Sequence, residues 1–230
     1  MHLTAYSRLN ASSEAMLGRI YDATWGRAFA AMYDRSLEAT EDAGLRQMRR
    51  ELLAGAGGRV AELGAGTGVN LDLYPKGVED LVAVEPDPHM AKRLRAKLRQ
   101  SSRVVTVVEA PAERLPFEDS SFDTVVATLV LCTVPDPAAA LAEAARVLKP
   151  GGRLLFIEHV RAEAPGLARW QDRLEKPWRF LGDGCHCNRD TVATIVASPL
   201  RLEDVERGRM PKAPPIVTPL VRGSAVLPSS

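Results

Sequence analysis

Apolar positions in this chain recur with two spacings, and the alternation between them predicts the architecture. Continuous apolar runs at 59–63, 81–85, 104–108, 122–128 and 154–159 read as strands buried on both faces, because a strand covered on one face alternates apolar with polar residues. Between them lie segments of helical period. One covers 88–100, with Asp87 as cap and Pro88 in its first turn, and another covers 137–148, opened the same way by Asp136 and Pro137. Upstream, 12–53 is helical in pattern: Ser12 and Ser13 cap a first segment, and a second from 41 to 53 is closed by Gly55, Gly57 and Gly58. A short helix is expected at 70–74, ended by Pro75 and Gly77. Downstream, 167–181 and 189–198 read as helices, and 201–207 and 215–222 as two strands joined through Gly208 and Pro211. Strands alternating with helices across 59–160 predict an α/β fold whose parallel sheet carries helices on both faces and binds ligands at its carboxyl edge.

The junction after the first strand carries the strongest chemical signal. Val60-Ala61-Glu62-Leu63 runs into Gly64-Ala65-Gly66-Thr67-Gly68 before helical pattern resumes near 69. Glycines in such a turn take positive φ and admit a ligand to the backbone, and a helix start offers unpaired N–H groups. No Lys-Ser or Lys-Thr pair closes the loop, as a triphosphate cradle requires. The G-x-G-x-G spacing, with acidic Glu62 before it, also departs from the dinucleotide fingerprint. A carboxylate there repels a pyrophosphate and attracts a cation. Leu81-Val82-Ala83-Val84-Glu85 is a second buried run ending in an acid, placed to accept the hydroxyl protons of a ribose.

The stretch Glu62 to Gly68 resembles the first motif of the class I S-adenosylmethionine-dependent methyltransferases, whose ligand is a sulfonium cation with an amino-acid tail, a ribose and an adenine. Two further stretches carry the likeness: Ala112-Glu113-Arg114-Leu115-Pro116-Phe117 followed by Ser121-Phe122-Asp123, and Arg146-Val147-Leu148-Lys149-Pro150-Gly151-Gly152 before a strand. The resemblance implies a Rossmann-like, seven-stranded, mostly parallel sheet with an antiparallel last strand. It divides the chain into an N-terminal helical lid over 1–57 and a cofactor-binding core over 58–230. S-Adenosylmethionine contacts are then expected at Glu62, Gly64, Ala65, Gly66, Thr67, Gly68, Asn70, Glu85, Pro86, Ala112, Glu113, Thr128 and Leu129. Pro111 stands where the family usually has an acid beside the adenine, which leaves that task to the backbone at Ala112 and to Glu113.

Composition narrows the partners. The 230 residues are 46% apolar with 30 basic and 29 acidic side chains, as in a soluble globular domain with no bulk attraction to nucleic acid. No run approaches the roughly 20 apolar residues of a membrane span, and no signal-peptide layout opens the chain. The expectation is a cytoplasmic protein, monomeric or homodimeric, acting on a small molecule without stable membrane insertion. Three cysteines, Cys132, Cys185 and Cys187, make no disulfide framework, and Cys185-His186-Cys187 lacks the second ligand pair of a structural zinc site. No metal is expected.

The last third reads as the acceptor side. Glu158-His159-Val160, Asp183-Gly184-Cys185 and Arg189 resemble a narrower group, the methyltransferase-like thiol methyltransferases, with relatives acting on phospholipids or quinones. Animal members of that group begin with an apolar membrane anchor, which is not found here. A thiol is the favoured acceptor, with an amine or hydroxyl of a specialised metabolite, a phospholipid or a quinone as alternatives. A non-catalytic module that binds cofactor or partner is the reading from another class. His159 and Asp183 are the catalytic candidates. Tyr21, Trp25, Tyr33, Cys132, His159 and His186 are the substrate candidates, the first three from a helix that would lie over the site. Methyl transfer from a sulfonium is rate-limited largely by alignment, which can contribute on the order of 7–11 kcal/mol, and a base is needed only if the acceptor must lose a proton.

Overall fold

The structure, a computed structural model, describes residue 35 and residues 37–229. Most of the expected lid, with Tyr21, Trp25 and Tyr33, lies outside the described residues. Seven strands, β1 (Gly58–Leu63), β2 (Val78–Val84), β3 (Val105–Val108), β4 (Phe122–Thr128), β5 (Leu148–His159), β6 (Arg201–Arg209) and β7 (Pro219–Val226), form one sheet in the order β3-β2-β1-β4-β5-β7-β6. Strands β1 to β5 pair in parallel, whereas β7 is antiparallel to both β5 and β6. The expected Rossmann-like class and its antiparallel last strand are therefore present. The strand order reverses at β1, between β2 and β4, which puts the first crevice at the carboxyl end of β1.

Helices cover both faces. On one face, α1 (Arg46–Leu53) and α2 (Pro88–Leu98) bury Leu53 and Leu94 with Val60, Leu81, Val126 and Leu155. On the other, α3 (Pro137–Val147) and α5 (Thr191–Val196) bury Leu141, Ala144 and Ile195 with Leu63, Val125, Phe156 and Val221. The long α4 (Pro165–Leu181) precedes the loop that returns towards β4. The caps form as the sequence indicates: Asp87 Oδ1 accepts from His89 N and Met90 N, and Asp136 Oδ1 from Ala138 N and Ala139 N.

Five elements depart from the sequence pattern. Residues 70–74 make successive turns rather than a helix; Leu71, Leu73 and Tyr74 all face the interior, and Pro75 denies the segment another turn. Helix α1 is entered through a π-helical turn (Glu41–Leu45) in which Gly44 has φ 139°. The Lys149–Gly152 turn is a bulge within β5, where the register with β4 slips between Phe122 and Thr124. Helix α5 begins at Thr191 because Arg189 is engaged elsewhere, and 215–217 is a 3-10 turn before β7.

Candidate active site

At the carboxyl ends of the strands the side chains sort by face. Glu62, Thr128 and His159 share the face covered by α1, as the pairings Glu62 with Val126 and Thr128 with Ile157 require, and Glu158 points to the other. Each face holds a buried acid, and the two acids do different work.

On the α1 face, Glu62 is 1% exposed, and its carboxylate accepts from Asn70 Nδ2 at 2.7 Å and from the Tyr74 hydroxyl at 3.0 Å. Burial pushes its carboxyl up, and both hydrogen bonds oppose that. Asn70 also donates to Thr128 Oγ1 at 3.0 Å, and Arg49 Nη1 donates to Thr128 Oγ1 at 2.7 Å and to Asn70 Oδ1 at 3.3 Å. Arg49 Nε closes an ion pair with Glu41 at 3.0 Å. A hydrogen-bonded string therefore runs Glu41, Arg49, Asn70, Glu62, Tyr74, tying the π-helical turn and α1 to the glycine loop. Glu62 is thus a brace for the segment after the loop, while Asn70 and Thr128 mediate between it and Arg49.

The glycine loop is shaped by two contacts. Gly64 has φ +56°, and a Cβ there would lie 2.6 Å from Val130 Cγ2. Glu85 Oε2 accepts from Gly66 N at 2.7 Å, and its Oε1 accepts from Asp87 N at 2.9 Å. Each oxygen of Glu85 keeps a lone pair for a ligand, as a ribose diol requires. Burial raises this carboxyl to about 7, the two N–H groups oppose the shift, and the charges of Asp87 and Asp183 add to it. Asp183 takes φ 49° in the loop after α4, and its charge acts on Glu85 across the carboxyl edge of the sheet. Ala112 is buried, Glu113 Oε1 accepts from Asp136 N at 3.2 Å, and Pro86 is exposed at the rim.

On the opposite face, Glu158 is 0% exposed and receives three backbone N–H groups: Val130 and Leu131 on Oε1, both at 2.9 Å, and Cys132 on Oε2 at 3.1 Å. Burial lifts its carboxyl to about 7 against those three bonds. The same loop is held from outside by Arg189 Nη1, which donates to Leu131 O and Val134 O, both at 2.7 Å, and by His186 N on Cys132 O at 2.7 Å. Its first residue, Leu129, sits at φ 62°, a conformation a leucine adopts only when its surroundings impose it. A lone acid at the end of an apolar strand was the available signal for Glu158. Glu41 and Arg49 offered none, since their segment reads in the sequence only as a helix over 41–53.

His159 is 7% exposed, and Nδ1 is buried without a partner. Burial lowers the ring to about 4, opposed by a hydrogen bond at the Val217 backbone. The ring is neutral at neutral pH. Cys185 Sγ lies 3.9 Å from Cys132 Sγ, His186 Nδ1 pairs with Glu175 at 2.8 Å, and Cys187 lies against Gln171 O, so the three residues of the Cys-His-Cys run face three different partners. Among the described residues no cluster of three or more His, Cys, Asp or Glu is arranged to hold a metal ion. The unpartnered buried atoms Arg49 Nη2, Glu41 Oε2 and His159 Nδ1, together with the Glu85 carboxylate, suit a ligand carrying both charged and hydroxyl groups, as S-adenosylmethionine does.

Comparison with known proteins agrees with this geometry. A methyltransferase-domain family model matches residues 61–156. The human thiol S-methyltransferase TMT1B is 38% identical over 184 residues, which span 76% of this chain and 73% of that protein. A phosphatidylethanolamine N-methyltransferase from Cereibacter sphaeroides is 31% identical over 78% of this chain and 87% of its own. Among solved structures, a methyltransferase from Thermotoga maritima superposes with a TM-score of 0.65 at 22% identity, covering 91% of this chain and 98% of that one. With β1, its glycine loop and the two flanking acids in place, the chain belongs to the class I S-adenosylmethionine-dependent methyltransferases, in the family that contains the human thiol S-methyltransferases.

Proposed function

We infer that the protein transfers the methyl group of S-adenosylmethionine to the sulfur of a small thiol. The observation that carries this reading is the 38% identity to a thiol S-methyltransferase across three quarters of the chain. Bound S-adenosylmethionine supplies a methyl group already activated on a sulfonium, with a neutral thioether as leaving group. A thiol presented to it would offer its sulfur lone pair to that methyl and release its proton to solvent, the cofactor leaving as the neutral thioether. Reaction of a thiolate with a sulfonium cancels charge in the transition state, so an apolar surround favours it. Cys132, Cys185, Val217 and Ile216 supply such a surround beside the loop after β4.

In this reading Glu85 holds the ribose, and Gly64 to Gly68 with Asn70 lie along the ligand. Ala112 and Glu113 wall the adenine, and Leu129 and Cys132 border the transferred methyl. His159 Nδ1 accepts a hydrogen bond from the acceptor and orients it. A ring at about 4 is too weak a base to keep a thiol proton, so its role is alignment. Asp183 places a negative charge across from Glu85, where it favours the sulfonium. Among the described residues no helix is long and apolar enough to cross a membrane. The proposal places the protein in the cytoplasm as a monomer or homodimer, without a nucleic-acid partner.

The phosphatidylethanolamine relative favours a second reading, methylation of a lipid amine. Incubation with methyl-labelled cofactor and thiols, amines, phenols or phospholipid vesicles separates the readings. S-Methyl product from thiols is expected. Label in phosphatidylethanolamine with none in thiols would overturn the thiol assignment, and cofactor binding with no labelled acceptor would favour a non-catalytic module.

A further inference from the structure

The α1 face of the crevice holds a charged pair that its neighbours only half satisfy. Arg49 is 1% exposed, and its Nε and Nη1 are taken by Glu41, Thr128 and Asn70, but Nη2 is buried without an acceptor. Glu41 Oε1 meets Arg49 Nε while Oε2 is buried without a donor. A buried donor or acceptor left unsatisfied costs about 1–3 kcal/mol, and more for charged groups. One orphan asks for an anion and the other for a cation.

Their position identifies what would satisfy both. Arg49 touches Thr128, the last residue of β4, and Asn70, two residues beyond the glycine loop. In the middle of the loop Gly66 N donates to Glu85 Oε2. A ligand with its diol on Glu85 and its length over the glycines would reach towards Asn70 and the Arg49 bonded to it. We propose that Arg49 and Glu41 read the amino-acid end of the cofactor, the guanidinium Nη2 donating to its carboxylate and the Glu41 Oε2 accepting from its ammonium. Glu62, the acid expected from the sequence to meet the cation, has a partner on each oxygen in Asn70 and Tyr74, whereas Arg49 Nη2 and Glu41 Oε2 have none. The proposal rests on the cofactor assignment above and adds to it which residues select the zwitterionic tail.

The test compares binding of S-adenosylhomocysteine with its decarboxylated and deaminated analogues by calorimetry, which needs no turnover. Wild type should bind the parent about 10- to 100-fold more tightly than the decarboxylated analogue, as for a buried charge-assisted bond. Arg49→Gln should shrink that gap to within about 3-fold while leaving affinity for the decarboxylated analogue nearly unchanged. Glu41→Gln should shrink the gap against the deaminated analogue in the same way. Arg49→Lys keeps the charge in the brace and should retain an intermediate gap, so it serves if Arg49→Gln melts early. Equal weakening of parent and decarboxylated analogue in the Arg49 variants would mark the residue as structural and overturn the proposal. So would a wild type that does not discriminate the analogues while still binding the parent, an outcome that leaves the cofactor assignment standing. Failure to bind any of the three ligands would instead overturn the cofactor assignment.

Discussion

Replacing Glu158 with glutamine should raise stability and lower activity at the same time. The carboxyl is moved from 4.5 to about 7 by burial, despite the N–H groups of Val130, Leu131 and Cys132. A folded value above the unfolded one means that the folded chain binds more protons between the two. The stabilising contribution is therefore full below about 4.5 and is lost as pH rises through about 7. Integrating that linkage from pH 5 to pH 8 gives a loss of about 2.5 kcal/mol from this one group. The amide of Glu158→Gln does not titrate. The variant should lack that share of the decline, so its melting temperature relative to wild type should climb by about 5–10 °C between pH 5 and pH 8, whatever constant offset the lost Cys132 N bond adds. Activity should move the other way. A glutamine can satisfy Val130 N and Leu131 N with its oxygen but sets an NH2 against Cys132 N, so the loop after β4 loses one anchor. At about 1.4 kcal/mol, that is about a 10-fold fall in kcat/KM. Urea unfolding at the two pH values and initial rates with a thiol acceptor measure both. A variant destabilised equally at pH 5 and pH 8 would refute the reasoning, because the carboxylate would then be a net stabiliser. Unchanged kcat/KM would refute the link between Glu158 and the acceptor loop.

Two further outcomes follow from the other titratable groups. Glu85 must be ionised to accept both ribose hydroxyls, and with its carboxyl at about 7 the affinity for S-adenosylhomocysteine should rise about 10-fold from pH 6 to pH 8. Calorimetry on Glu85→Gln should give weaker binding without that rise, and a wild-type affinity flat across the range would contradict the assignment. His159→Ala should cut kcat/KM for thiols about 10- to 100-fold while cofactor affinity holds, since only the acceptor's hydrogen bond is lost. Because burial keeps the ring neutral, the ratio of wild-type to variant rates should stay constant from about pH 5.5 to pH 9. A ratio that bends near 6.5 would restore His159 as a titrating base.

The sheet and the glycine loop with its flanking acids are legible in the sequence because they are written in local signals. A buried parallel strand is an apolar run, a ligand-facing turn is a set of glycines, and a helix start is Asp-Pro, as at 87–88 and 136–137. The turns at 70–74 look helical in sequence because their apolar residues have helical spacing. What keeps them out of a helix is Pro75 together with the long-range claims on Asn70 and Tyr74 from Glu62 and Thr128. No window of sequence shows such claims. The burial of Arg49 is hidden for the same reason: its Thr128 partner is 79 positions away, and its own segment reads in the sequence only as a helix.

The two halves of the crevice differ in what builds them, and this explains the unequal legibility. Around Glu85 backbone makes the crevice: glycine φ angles and the N–H groups of Gly66 and Asp87 fix its shape. Around the loop after β4, side chains hold backbone instead. Glu158 grips three N–H groups from beneath, and Arg189 grips two carbonyls from outside. Together they force Leu129 into a left-handed conformation between the strand and the loop. A loop clamped at both its donors and its acceptors can change the side chains it presents without losing its path. Cys132 is the plainest case: its backbone N and O are both held, so in the proposed thiol reading its side chain can be exchanged to test acceptor preference without moving the loop.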